Sequence, residues 1–388
     1  MPSWQSKVLR RGFETGRRKL YGDLTDLPAL RARLDRLSAP LVRWSDLAYE
    51  PVEGALPRAE CPHYEGARMS PMPTVPVPAG ASVPQGDALP RAPKGPHYGG
   101  ARMPPMQTAP VPAEWVFPNE ESLGRKGRSP PALHPQRGAS VERSPLRQAQ
   151  GRLRDDVPAQ RTVVYLHGGG YCVGSIVTHR VLAGDVARAC QARALVLDYR
   201  LAPEDPFPAA VEDSVATYEW LLAQGTGPEQ IVLAGDSAGG GLVLSTLVSL
   251  RDKRLPLPAA GICLSPWTDL SLSGQSMVDN ARKDLVLTEE MLRVFARHYL
   301  GDGDPCHPLA SPLFADLAGL PPLFLQASKH EILFDDARRV AERARAAGVE
   351  AVLDAWEEMV HVWQSYAAFL PESREAIARI GEFVVEHT

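Results

Sequence analysis

From residue 161 onward, short apolar runs rich in β-branched residues alternate with stretches of helical character, and few architectures accept that alternation. The runs are TVVYLH (162–167), ALVLDY (194–199), IVLAG (231–235), AGICLS (260–265) and LFLQAS (323–328), with AVLDAW (351–356) as a further strand-like stretch. Helical character lies between most of them, at residues 178–189, 209–222 and 238–251. A strand that is apolar on both faces must be covered on both faces, which antiparallel hairpins rarely provide and helical crossovers do. Residues 159–388 therefore read as an α/β domain built on a mostly parallel central sheet flanked by helices.

The chain before residue 161 is of a different kind. Residues 1–42 read as helices: Leu27, Leu30, Leu34 and Leu37 recur on one helical face, and Asp26 before Pro28 is a natural N-cap. Residues 43–54 are expected to form a first sheet strand and residues 113–121 another. Between them, residues 55–112 form a Pro-rich insertion, in which PHYEGARMSPMPTVPVPA (62–79) is repeated as PHYGGARMPPMQTAPVPA (96–113) at 14 of 18 positions. With a proline every few residues it can build neither helix nor ladder, so disorder is expected. Residues 122–158 form a second insertion of low complexity, basic and also expected to be disordered. Residues 1–160 carry 23 Lys and Arg against 16 Asp and Glu, a net +7, whereas residues 161–388 carry 19 against 30, a net −11.

Composition narrows the functional classes. At 388 residues with 44% hydrophobic content the chain is long enough for a substantial core. No run of 18 apolar residues occurs, so no membrane-spanning helix is expected, and the N-terminus lacks the apolar stretch of a secretory signal. Five cysteines, at 61, 172, 190, 263 and 306, are an odd number without CxxC spacing, which disfavours disulfides and a metal site and suggests the cytoplasm. The basic stretch could touch nucleic acid electrostatically, but its composition reads first as a solvated insert, and no nucleic-acid partner is expected.

Gly235-Asp236-Ser237-Ala238-Gly239 falls where the run IVLAG meets the next helical stretch, the setting of a nucleophile elbow. The chain must turn there so sharply that small residues are needed two positions either side of Ser237. His167-Gly168-Gly169-Gly170 follows the run TVVYL, and its glycines let backbone N–H groups face a ligand, as an oxyanion hole requires. A phosphate loop would show GxGxxG or a following Lys-Ser/Thr, but Tyr171 and Cys172 follow. A serine needs a base, and His361, in a loop after AVLDAW, is better placed than His298 in a helix or His307 beside Pro308. His63, His97 and His134 lie in the insertions, His387 near the C-terminus, and His167 within the glycine loop. For the acid, Glu331, Asp335 and Asp336 all follow LFLQAS. Position favours Glu331, nearest the strand end, and the two aspartates suit the start of the next helix.

Taken together, HGGGY (167–171), DYRLAPE (198–204), PFPAAVED (206–213), GDSAGG (235–240), SPWTDL (265–270) and EILFDD (331–336) resemble the hormone-sensitive lipase-like branch of the α/β-hydrolases, the bacterial family IV esterases. The resemblance implies an α/β-hydrolase fold with a helical cap formed by the N-terminal residues and a segment near 284–300. It implies a catalytic triad of Ser237, Glu331 and His361, with oxyanion donors at Gly168, Gly169 and Ala238, and it places Tyr171 and Asp236 at the substrate pocket. Where most relatives carry Asp as the acid, this chain has Glu331, one methylene longer. The implied function is hydrolysis of short- to medium-chain carboxylic esters, with a small-molecule ester as substrate and no metal or cofactor. A two-fold homodimer is compatible with the resemblance. An amidase or deacetylase on the same site and a non-catalytic small-molecule receptor are the competing readings.

Overall fold

The computed structural model describes residues 3–21, 26–43, 47–52, 111–118 and 161–388. The insertions expected at 55–112 and 122–158 lie outside these residues, apart from Val111 and Pro112. Two helices come first, α1 (Trp4–Tyr21) and α2 (Leu27–Arg43). Asp26 caps α2, its side chain accepting from the Ala29 N–H at 3.0 Å. Leu27 and Leu30 are buried, but Leu37, expected on the same face, is 54% exposed. The helix also runs to Arg43, so the first strand begins later than the sequence suggests.

That strand is β1 (Leu47–Pro51), followed by β2 (Ala113–Pro118) and β3 (Arg161–Leu166). Helix α3 (Ile176–Ala189) leads to β4 (Ala192–Leu197), α4 (Ala209–Ala223) to β5 (Ile231–Asp236), and α5 (Ala238–Asp252) to β6 (Ala260–Leu264). After a single turn of helix, α6 (Ser276–Asp279), and a longer α7 (Glu289–Leu300), the chain enters β7 (Leu323–Ser328). It closes with α8 (Phe334–Ala346), β8 (Ala351–Trp356) and α9 (Pro371–His387). The eight strands pair in the order β1-β2-β4-β3-β5-β6-β7-β8. β1 and β2 are antiparallel, β2 runs antiparallel to β4, and every pair from β4 to β8 is parallel.

Alternation along the strands divides the core into two layers. Val164, Leu166, Leu195, Leu233 and Leu325 face the layer that includes Val215 and Tyr218 of α4, Leu242 and Leu247 of α5 and Val340 of α8. Val163, Tyr165, Val196, Val232 and Ile262 face Leu182 and Val186 of α3 and Ile380 and Val384 of α9. Helix α5 is buried from Ala238 to Leu250, as a helix lying between a sheet and further helices must be.

Topology fixes which loops meet. The carboxyl ends of β3, β5, β7 and β8 all open on one edge of the sheet, the edge at which ligands meet parallel sheets. The β1–β2 connection opens on that edge too, because Ala113 lies opposite Leu197 at the end of β4 and the Val52 N–H donates to the Ala113 carbonyl at 3.0 Å. The β2–β3 connection leaves from the opposite edge, where Arg161 at the start of β3 lies beside Ala192 at the start of β4. No helix among the described residues is long and apolar enough to cross a membrane.

Candidate active site

Ser237 stands between β5 and α5 at φ 52° and ψ −120°, a conformation that L-residues rarely adopt. Its N–H donates to the Leu264 carbonyl at 2.8 Å, and its carbonyl accepts from the N–H groups of Gly241 (3.1 Å) and Trp267 (2.9 Å). The strained turn is thus held from β6 and from α5. Packing explains the glycine two positions on: a Cβ at Gly239 would lie 2.0 Å from the Leu166 carbonyl oxygen. Because α5 begins at Ala238, the N–H of that residue has no carbonyl one turn earlier to bond.

The residues expected as acid and base are joined. Glu331, 1% exposed, follows β7 in a turn, and its Oε2 lies 2.6 Å from Nδ1 of His361. Its Oε1 accepts from the Ser328 N–H at 2.6 Å and the Ser265 hydroxyl at 2.9 Å. Ser265, at φ 44°, also receives the Val362 N–H at 3.2 Å, so one hydroxyl ties the ends of β6, β7 and β8 together. The acid turn is braced by the Asn280 side-chain amide, which donates to the Lys329 and Glu331 carbonyls at 2.9 and 2.8 Å. Burial alone would push the His361 pKa down. The hydrogen bond to Glu331 and its charge outweigh that, with Asp284 and Asp236 adding to them, and leave it above 6.5.

Asp335 and Asp336 occupy the first turn of α8 and serve the scaffold. Asp335 accepts the Ser276 N–H at 3.0 Å and pairs with Arg338. Asp336 accepts the N–H groups of Thr268 (2.7 Å) and Asp269 (2.9 Å), and burial pushes its carboxyl up to about 8. His298 lies in α7, while His307 stacks edge-on against Phe207 and accepts the Leu309 N–H. His63, His97 and His134 lie outside the described residues.

The glycine loop requires a correction. Gly168 was expected to lend its N–H to an oxyanion, but that N–H is donated to Asp236 Oδ1 at 3.1 Å. The approach is so close that a Cβ on Gly168 would lie 2.2 Å from Asp236 Oδ2. Asp236 and Tyr171 were expected as pocket residues, yet they are only 2% and 1% exposed and offer a substrate almost no surface. Tyr171 stacks on Tyr299 of α7 with ring centroids 3.8 Å apart. Asp236 accepts the Tyr165 hydroxyl at 2.9 Å and faces Nε2 of His179 at 3.4 Å.

Sequence reasoning missed four contributors: Tyr165, His179, Ser265 and Arg31. From α2, the Arg31 guanidinium donates to the carbonyls of Cys172 (2.7 Å) and Ala202 (2.8 Å) and pairs with Glu204. From α1, Arg10 reaches the Glu358 carbonyl at 3.2 Å, in the loop ahead of His361. Helix α7 covers the glycine loop from a third side through Phe295 and Tyr299. Ser237 and His361 are each only 8% exposed beneath these elements. A cleft of about 690 Å³ along the outer side of α7, lined by Leu270, Glu289, Arg293, Arg297 and Leu300, contains none of these site residues.

Comparison with known proteins places this arrangement. Residues 163–365 match the family described as alpha/beta hydrolase fold. An acetyl-hydrolase of Streptomyces hygroscopicus is 49% identical over 58% of this chain and 75% of its own length. An esterase of Acinetobacter venetianus is 37% identical over 65% of this chain and 84% of its own. Among solved structures, an esterase from the bacterial hormone-sensitive lipase family superposes with a TM-score of 0.72 at 36% identity, covering 100% of this chain and 99% of that one. The structure of EstE5 soaked with p-nitrophenyl butyrate gives a TM-score of 0.60 at 43% identity over 71% of this chain and 81% of its own. The chain belongs to the hormone-sensitive lipase family of bacterial esterases, within the α/β-hydrolase fold.

Proposed function

We propose that the protein hydrolyses carboxylic esters of short to medium acyl chains, with Ser237 as nucleophile, His361 as base and Glu331 as the acid that orients it. The observation that carries this reading is the buried Glu331–His361 hydrogen bond of 2.6 Å on the sheet edge where Ser237 sits at its strained turn. With Nδ1 donating to Glu331, the imidazole leaves Nε2 free to take a proton.

In the proposed mechanism, His361 Nε2 accepts the Ser237 hydroxyl proton as Oγ bonds to the ester carbonyl carbon. The carbonyl π electrons move to oxygen. Since the Gly168 N–H is spent on Asp236, the donors facing that oxyanion are the N–H groups of Gly169, Gly170 and Ala238. Collapse breaks the bond to the alcohol oxygen, which leaves with the proton from His361. Water, deprotonated by the same nitrogen, then attacks the acyl-serine, and the carboxylic acid departs as the proton returns to Ser237. Support for small acyl groups comes from two relatives, one named an acetyl-hydrolase and one solved after soaking with a butyrate ester.

The test is a chromogenic ester series from acetyl to long acyl chains, alongside matched anilides, with wild type and Ser237→Ala compared. Turnover of short esters that falls by roughly 10⁶-fold in the variant is the expected outcome. Equal turnover in both proteins would refute the assignment, and faster cleavage of anilides would favour an amidase.

A further inference from the structure

Beneath the glycine loop lies a buried charged pair that the proposed mechanism does not use. Asp236 is the residue directly before Ser237, and its side chain is only 4% exposed. Its Oδ1 accepts both the Tyr165 hydroxyl and the Gly168 N–H, at 2.9 and 3.1 Å, while its Oδ2 faces His179 Nε2 at 3.4 Å. A lone carboxylate at such depth would take up a proton, and a protonated acid is a poorer acceptor for the Gly168 N–H. His179, from the first turns of α3, is the cation within reach.

The surroundings of His179 favour its charged form. Burial opposes the charge, but Asp236, the Ser175 carbonyl and Asp35 of α2 together raise its pKa above 6.5. Asp35 also accepts the Ser175 hydroxyl at 2.5 Å, so α2 brings a second carboxylate to this corner. His167 stacks on His179 at 5.4 Å, and burial with the His179 charge pulls it down to about 3, leaving it neutral. On the other side of the pair, the same His179 charge and the hydrogen bonds from His179 and Tyr165 outweigh burial and keep Asp236 ionised.

We propose that the His179–Asp236 ion pair is the positioning element of the oxyanion loop, holding Gly168 so that the N–H groups of Gly169 and Gly170 face Ser237. His179 acts through Asp236 and touches no substrate. The geometry makes this coupling direct. A single carboxylate bridges the residue before the nucleophile and the first glycine of the loop, and the two glycines that follow, at φ 117° and 61°, take their direction from it. This inference rests on the ester-hydrolase reading above.

The test uses His179→Leu, His179→Gln and wild type on a p-nitrophenyl ester, with thermal unfolding as a control. Misdirecting donors without deleting one should cost less than the roughly 10²–10³-fold of outright loss, so His179→Leu is expected to lower kcat about 10- to 100-fold with KM within about threefold. Glutamine can still donate to Asp236 but leaves the carboxylate without a cation, so His179→Gln should lie between the two, with kcat lowered about three- to tenfold, the level toward which wild type falls when His179 is neutral. A second comparison is independent of the leucine variant's folding. Wild-type kcat should decline on the alkaline side as His179 gives up its proton, a limb that His179→Gln lacks because glutamine does not titrate. Wild-type kcat in His179→Leu, a loss confined to KM, or identical alkaline profiles for wild type and His179→Gln would each overturn the proposal. If wild type itself turns over no ester, both readings fall; turnover with unaffected His179 variants removes only this one.

Discussion

Replacing Glu331 by glutamine changes one atom and should silence the base without removing it. The carboxylate has two distinct jobs: Oε1 receives the Ser328 N–H and the Ser265 hydroxyl, and Oε2 receives His361 Nδ1. Glutamine has one oxygen. The Ser328 backbone N–H cannot turn away, so the oxygen must take the Oε1 place and the amide NH₂ must face His361. A donor there forces Nδ1 to accept, and the imidazole then carries its proton on Nε2, the nitrogen that must take one from Ser237. Locking the wrong tautomer in a triad of unchanged geometry slows turnover about 10⁴-fold in the best-studied serine hydrolase, or about 5.4 kcal/mol of barrier. Glu331→Gln is therefore expected to fold, to bind ester with nearly unchanged KM, and to turn over more slowly by about that factor. Steady-state hydrolysis of a p-nitrophenyl ester, with circular dichroism to verify folding, measures it. A folded variant with kcat within tenfold of wild type would refute the tautomer argument and point to Asp335 or Asp336 as the working acid.

Because the folded His361 pKa is raised above 6.5, kcat/KM should rise with pH through an apparent pKa on the alkaline side of free imidazole, and Glu331→Gln should move that limb acidward. The same sign means that the protonated His361–Glu331 pair stabilises the fold below the unfolded histidine pKa, and that this contribution is lost as pH climbs through the folded value. Gly168→Ala would bring a methyl to 2.2 Å of Asp236 Oδ2 and 3.0 Å of the Asp236 carbonyl oxygen, so the glycine loop must shift. Turnover slowed by about tenfold or more, the scale of a displaced oxyanion donor, is the expected result, together with a melting temperature lowered by a few degrees. Unchanged turnover would show that the loop tolerates the shift.

How much of this was legible beforehand depended on how local each cause was. Strand β7 covers the same residues as the run LFLQAS, all of them buried, and β8 those of AVLDAW on the half-buried edge of the sheet, because the apolar side chains that mark each run are local to it. The sharp turn at Ser237 was legible for a similar reason: the crowding at Gly239 leaves its mark as a small residue at a fixed offset. Glu331 could only be ranked ahead of Asp335 and Asp336, since the discriminating contact is with a histidine 30 positions away. Which glycine N–H faces outward was beyond local reading altogether. Glycines show that the loop can turn, but Asp236, 68 residues on, claims the N–H of Gly168. His179 carries no mark in its own helix; its role appears only when α3 packs beside the end of β5. Leu37 failed in the opposite way, keeping the period of the buried leucines while standing 54% exposed.

The routing of the chain around the sheet's far flank assigns its two extra stretches different consequences. Residues 53–110 are spliced into a hairpin whose ends are already hydrogen bonded, and that hairpin opens on the catalytic edge, three strand spacings (roughly 14 Å) from β5. Residues 119–160 depart from β2 and rejoin at β3 on the edge facing away from the nucleophile. The hydrogen-bonded flanks of the first stretch, Val52 and Ala113, therefore stand on the sheet edge that carries Ser237. The ends of the second, Pro118 and Arg161, stand on the opposite edge, which makes that junction the place to attach a tag, a label or a whole domain at least expense to turnover.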